Sequence, residues 1–262
     1  MSNRIYQVDA FCKDLFSGNP AAVCPLEYWL EDQTMKNIAA ENNLAETTFY
    51  VKEKDGFRIR WFTPEMEVDL CGHATLAAAH VLFSHEGFSG NTILFASRSG
   101  ELKVSKKGDH LVLDFPVDHF KQVEITAAMH QWFSTTPIEA YKGRSDYMLV
   151  FRSEEEVAGL RADLAVLGRL TDCRGVIITA KGENVDFVSR FFAPQIGIAE
   201  DQVTGSAHTT LTPYWSQRLY QNEFEAIQLS PRKGFLHCRY AGERIEISGL
   251  AKTYLMGEIF LK

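Results

Sequence analysis

Two short runs carry residues of the kind that move protons, set at the same point of a local pattern: Cys71-Gly72-His73 and Thr204-Gly205-Ser206. In each, a glycine opens a stretch of helix-forming residues. A ligand can therefore come close to the backbone, where the first free N–H groups and the helix dipole favour an anion. His73 is a group that exchanges protons or donates a hydrogen bond near neutral pH, and Asp201 supplies a carboxylate just ahead of the second run. Cys71 is a candidate thiol nucleophile or base at a helix start. Its counterpart is Thr204, so a paired-thiol proton shuttle is not available. Taken singly, Gly72 and Gly205 would serve turn geometry, His73 would be a polar helix-start residue and Asp201 a solvated loop acid. The recurrence of the pattern is what favours a carboxylate-binding site.

That recurrence extends along the chain. Phe57–Pro64 (FRIRWFTP) aligns with Phe187–Pro194 (FVSRFFAP) at an offset of 130. The Cys71 and Thr204 runs follow at 133, so the second copy carries three extra residues, around Glu200-Asp201-Gln202. The strand, glycine turn and strand from Gly100 to Leu113 match Gly234 to Ile247 at 134. Three blocks in one order indicate an internal duplication. Each copy reads as strand, loop, helix and hairpin.

The spacing predicts helices over 33–43, 73–83 with Leu76, Ala79 and Phe83 on one stripe, 126–133, 154–170 with Ser153 and Glu156 as a capping box, and from Ser206 toward Arg218. The clearest strands are 46–51, 91–97, 146–151 and 174–179. The boundary between halves falls after Pro116, giving 1–117 and 118–262, with the last strand, 252–262, open to pairing with the N-terminal half.

Composition removes whole classes of function. The net charge of -7, without a basic stripe, argues against nucleic acid as a partner. No apolar run approaches the roughly 20 residues of a membrane span, and the N-terminal residues lack a signal-peptide core, so a cytoplasmic location and no membrane partner are expected. Five scattered cysteines without a C-x-x-C pair argue against a disulfide framework or structural zinc. No H-E-x-x-H, G-x-G-x-x-G or P-loop is present, so neither a metal nor a nucleotide cofactor is expected.

The chain resembles the phenazine-biosynthesis PhzF-like proteins, which share the diaminopimelate epimerase-like fold. The matching pieces are Asp9-Ala10-Phe11 with Gly18–Val23 (GNPAAV), Asn43–Phe49 (NLAETTF), Trp61–Pro64, Asp69–Thr75 (DLCGHAT), and Glu200-Asp201 followed by Val203–His208 (VTGSAH). The resemblance implies an α+β fold of two similar pseudosymmetric domains, each a strongly curved, mostly antiparallel sheet wrapped around a central helix. It also implies a site between them and a homodimer. The implied activity is proton-transfer isomerisation of a small carboxylate-bearing substrate without metal or organic cofactor. By the same resemblance Glu46 is the principal acid/base, with His73 and Asp201 as partners. Asn19, Cys71, Gly72, Ala74, Thr204, Gly205 and Ser206 would contact substrate, with both helix starts facing each other beside Glu46. Gln202 stands where the family usually has proline after the aspartate, which predicts a freer loop. The alternatives are an amino-acid racemase or epimerase, and a non-catalytic small-molecule-binding or interaction protein that kept the fold.

Overall fold

Apolar and β-branched residues recurring with a period of two make strands the main element of this chain. The computed structural model describes residues 2–261 and, among them, places 17 strands and five α-helices. They sort into two compact units, Met1–Asp114 with Ser248–Lys262, and Phe115–Ile247.

The first unit holds β1 (Ser2–Cys12), β2 (Asn19–Leu26), α1 (Asp32–Asn42), β3 (Glu46–Glu53), β4 (Gly56–Phe62), β5 (Glu67–Val68), α2 (Gly72–Ser84), β6 (Thr92–Ser97), β7 (Gly100–Lys107) and most of β8 (His110–Pro116). The second holds β9 (Lys121–Val123), β10 (Glu139–Lys142), β11 (Asp146–Val150), α3 (Glu154–Gly159), α4 (Leu164–Leu167), β12 (Gly175–Lys181), β13 (Phe187–Ala193), β14 (Ile198–Asp201), α5 (His208–Leu219), β15 (Glu223–Gln228) and β16 (Gly234–Ala241). The last strand, β17 (Arg244–Phe260), belongs to the first unit from Ser248 onward.

In the first unit the strands close on themselves. β1 lies between β2 and β17, the order continues through β3, β4, β6, β7 and β8, and β8 pairs with β17. The β2–β3 and β4–β6 pairs are parallel. A closed barrel needs a plug, and α2 serves as one because it is apolar on all sides: Ala74, Leu76, Ala77, Ala78, Ala79, Val81 and Leu82 are all buried. Of the expected stripe Leu76 and Ala79 are buried and Phe83 is half-buried, and buried residues extend well beyond it round the helix. Outside the barrel, α1 covers Cys24, Phe49 and Phe62 with Met35, Ile38 and Ala39.

In the second unit β9, β10, β11, β12, β13, β15 and β16 pair in that order, with β11–β12 and β13–β15 parallel. Every residue of β12 from Gly175 to Ala180 is buried. Its core gathers Trp132, Phe133, Leu149, Phe151, Val176, Ile178 and Phe192.

Three expected helices differ in the structure. Residues 126–133 form only a 3-10 turn, Met129–Gln131, after which the chain pairs with a distant segment: Phe133 bridges to Ala162 and the Trp132 carbonyl accepts from the Asp163 N–H. The run 154–170 splits into α3 and α4. Leu160 turns extended, and the Arg190 guanidinium donates to the freed carbonyls of Val157 and Leu160, capping α3 from outside. Asp163 then starts α4 by accepting from the N–H groups of Ala165 and Val166. Ser153 caps α3 by accepting from the Glu156 N–H, while the Glu156 carboxylate reaches the Arg152 N–H instead of closing the box on Ser153. Finally, the second glycine junction opens as a 3-10 turn, Gly205–Ala207, and the α-helix begins only at His208.

Candidate active site

The site residues of the first unit converge because adjacent parallel strands begin at the same end of the barrel. Asn19 is the first residue of β2 and Glu46 the first of β3, and the register sets Ala21 opposite Glu46. α2 starts beside them, with extended Cys71 as its N-cap and Gly72 as its first residue. Cys71 offers no side-chain cap to the first turn, so by helix geometry the N–H groups of Gly72, His73 and Ala74 have no acceptor within α2. The Cys71 carbonyl is engaged by both the Thr75 N–H and the Thr75 hydroxyl, which fixes the turn.

His73 joins the others. Its Nδ1 lies 3.1 Å from Asn19 Nδ2 and 3.5 Å from Cys71 Sγ, and its Nε2 lies 3.0 Å from Glu46 Oε2. All four residues are buried, with Glu46 7% and His73 4% exposed. The His73–Glu46 contact is at ion-pair distance. Beyond this contact with each other, Glu46 Oε2 and His73 Nε2 are buried with no hydrogen-bond partner.

Burial alone would favour a neutral His73, yet its close contacts with Cys71 and Glu46 outweigh it and hold the imidazole well above its ordinary range. Burial, followed by the Glu46 charge, pushes the Cys71 thiol up to about 11. At neutral pH Cys71 is thus a thiol. Glu46, Cys71 and His73 also present O, S and N donors within 4.8 Å of one another, a set able to receive a divalent cation.

In the second unit the residues around Thr204 are locked by one side chain. Buried Gln228 accepts from the Thr204 N–H at 2.8 Å and donates from Nε2 to the Asp201 carbonyl (2.8 Å) and the Thr204 hydroxyl oxygen (3.2 Å). Thr204 in turn donates its hydroxyl to Asp201 Oδ2 at 2.7 Å. The Thr204 carbonyl accepts from the Ala207 N–H at 3.2 Å and from His208 Nδ1 at 2.9 Å, so the first turn closes from i to i+3 as a 3-10 turn. Gln202 was expected to loosen this loop. Instead its carbonyl accepts from Ser230 Oγ at 2.7 Å and its Oε1 from the Arg232 N–H at 3.2 Å, so the segment is pinned on both sides. Ser206 Oγ accepts from Arg174 Nη2 at 3.0 Å, and Arg174 forks onto buried Asp146.

The residues singled out in the sequence therefore form two groups, Asn19, Glu46, Cys71, Gly72, His73 and Ala74 in the first unit, and Asp201, Thr204, Gly205 and Ser206 in the second. Sequence reasoning missed Gln228, Arg174 and Asp146. None sits in a motif. A buried glutamine at a strand end and an Asp–Arg pair 28 residues apart leave no local trace.

A model of the family described as phenazine biosynthesis-like protein matches residues 8–257. An uncharacterized isomerase of Pseudomonas aeruginosa is 49% identical over 261 residues, covering all of both chains. A crystal structure of a phenazine biosynthesis protein PhzF family member from Enterococcus faecalis superposes over the whole of both chains with a TM-score of 0.97 at 49% identity. A predicted epimerase from Pseudomonas aeruginosa, 22% identical, shares the fold with a TM-score of 0.78 over 99% of this chain and 100% of its own.

Proposed function

The chain belongs to the phenazine biosynthesis-like protein family, and from that premise we propose that it is an isomerase moving a proton on a small carboxylate-bearing substrate. The observation that carries this reading is the buried pair of Glu46 Oε2 and His73 Nε2, each without a hydrogen bond, beside the first turn of α2. Glu46 takes a carbon-bound proton. The electron pair left behind is drawn toward the substrate carboxylate, where the N–H groups of Gly72, His73 and Ala74 stabilise the developing charge. His73, held as an imidazolium, supplies a hydrogen-bond donor, and Glu46 returns the proton at a second carbon. No step in this sequence calls on a redox change.

The same reading treats the two units as copies of one half-fold. In support, Arg60 forks onto Glu67 and lies over the Phe62 ring, while Arg190 forks onto Glu200 and lies over the Phe192 ring.

The test is solvent-deuterium incorporation. A panel of amino acids and cyclic carboxylic acids is incubated with the protein in D2O and followed by proton NMR. Exchange at one C–H position is expected, and Glu46→Gln should slow it by at least about 100-fold with the melting temperature retained. Binding without exchange would instead identify a non-catalytic binder, and near-normal exchange by the Gln variant would remove Glu46 from its role. Cys71 beside His73 Nδ1 is a second proton carrier in the same cluster and favours a racemase or epimerase as the next reading. Loss of optical rotation from a single enantiomer would identify that class.

A further inference from the structure

The duplicated register allows a comparison, position by position, of what each unit places where the other has its acid/base. Thr47 pairs with Phe62 in the first unit and Val176 with Phe192 in the second, and Phe62 and Phe192 are equivalent in the repeat. The residue preceding each is therefore Glu46 in one unit and Gly175 in the other. The second position admits no side chain: a Cβ on Gly175 would fall 2.3 Å from the Phe191 ring and 2.9 Å from the Phe192 carbonyl oxygen. The neighbour, Arg174, lies instead over that Phe191 ring and reaches Ser206, the counterpart of His73. Where the first unit sets a carboxylate against an imidazole, the second sets a guanidinium against a hydroxyl.

That exchange fixes the direction of one proton. A serine oxygen has one hydrogen to donate. Arg174 has only donors, so its contact with Ser206 Oγ occupies a lone pair and turns the Ser206 O–H away from the guanidinium. Among the described residues that O–H meets no acceptor. Arg174 cannot swing aside, since Nε and Nη2 are held by Asp146 and the plane rests on Phe191. Among the described residues its Nη1 has no hydrogen-bond partner, and the side chain is 37% exposed.

We infer that Arg174 is a positioning residue that holds the Ser206 hydroxyl as a preset hydrogen-bond donor to a carboxylate ligand. This rests on the reading of the substrate as a carboxylate, and it goes further by assigning a residue with no counterpart to Glu46 chemistry. A bare Arg–Asp ion pair would account for the Asp146 fork alone. It gives no reason for the third contact on Ser206.

The experiment is a double-variant cycle with acetate as the probe, followed at the Ser206 backbone amide by nitrogen-15 NMR, in the intact protein. Arg174→Met and Ser206→Ala should each weaken acetate binding about tenfold, and the double variant about tenfold again in total rather than about 100-fold, because both remove one shared interaction. Arg174→Lys, which keeps a donor but not the fork, should recover part of the loss. Additive losses, or acetate binding unchanged in Arg174→Met, would overturn the inference. Asp146→Asn separates a folding role: it should lower the melting temperature while leaving the Ser206 coupling detectable, and a variant that loses both equally counts against a positioning role. Coupled acetate binding with no deuterium exchange on any acid of the panel would leave Arg174 in place and remove the isomerase reading instead.

Discussion

At the scale of single residues, the two buried histidines at the helix starts respond to pH in opposite senses. His73 has its pKa raised in the folded protein, so its contribution to stability is complete below its unfolded value of 6.5 and disappears as pH climbs through the higher folded value. The melting temperature of the native chain should therefore exceed that of His73→Gln most at pH 6, and the gap should shrink on going to pH 9. A gap that widens with pH would contradict the Glu46 pairing. His208 is the reverse case. Burial strips its ring of water and pushes it down to about 4, partly offset by the hydrogen bond to the Thr204 carbonyl. Its stabilising effect is present above 6.5 and lost as pH falls through about 4, which corresponds to roughly 3 kcal/mol. His208→Asn, which can still donate to Thr204, should flatten the loss of stability between pH 6.5 and 4, as read by urea midpoints across that range.

At the scale of elements, the turns that deliver the site are set by backbone room. Gly18 sits at φ +73 just before Asn19, and a Cβ there would come within 2.3 Å of the Ala10 carbonyl oxygen. Gly18→Ala is expected to destabilise by about 1–3 kcal/mol and to disturb Asn19 against His73, measurable as a lower urea midpoint together with a shifted His73 ring resonance. This glycine was legible in the sequence as part of the GNPAAV run. The fate of residues 154–170 was not, because what ends α3 is the Arg190 guanidinium, about 30 residues further along the chain. Likewise the second glycine junction looked like the first, and only the structure shows the Thr204 carbonyl taken by the Ala207 N–H and the His208 ring, which makes it a 3-10 turn.

At the scale of the whole molecule, the longest-range pairing is the one that completes the first barrel. β1 and β17 meet with Cys12 opposite Leu250 and Ser2 opposite Phe260, so the two ends of the chain must be brought together before that barrel exists. A chain ending at Ile247 lacks every residue of β17 that pairs with β1. It should lose the cooperative unfolding of the first unit and the dispersed NMR resonances of Glu46 and His73. Retention of the native melting profile would show that β17 is dispensable. No helix among the described residues is long and apolar enough to cross a membrane.

The sequence by itself determined the elements whose signal is local or repeated: the period-two strands, the helix-forming run of α2 and the two glycine junctions with His73 and Cys71, since side-chain type and spacing are written along the chain, while Glu46 and Asn19 were reached only through the family resemblance. The tertiary structure alone decided which buried atoms lack partners, how far His73 stands from Glu46 and Cys71, and that Arg174 orients Ser206. Those properties depend on register between strands distant in sequence and on desolvation, neither of which a one-dimensional pattern contains.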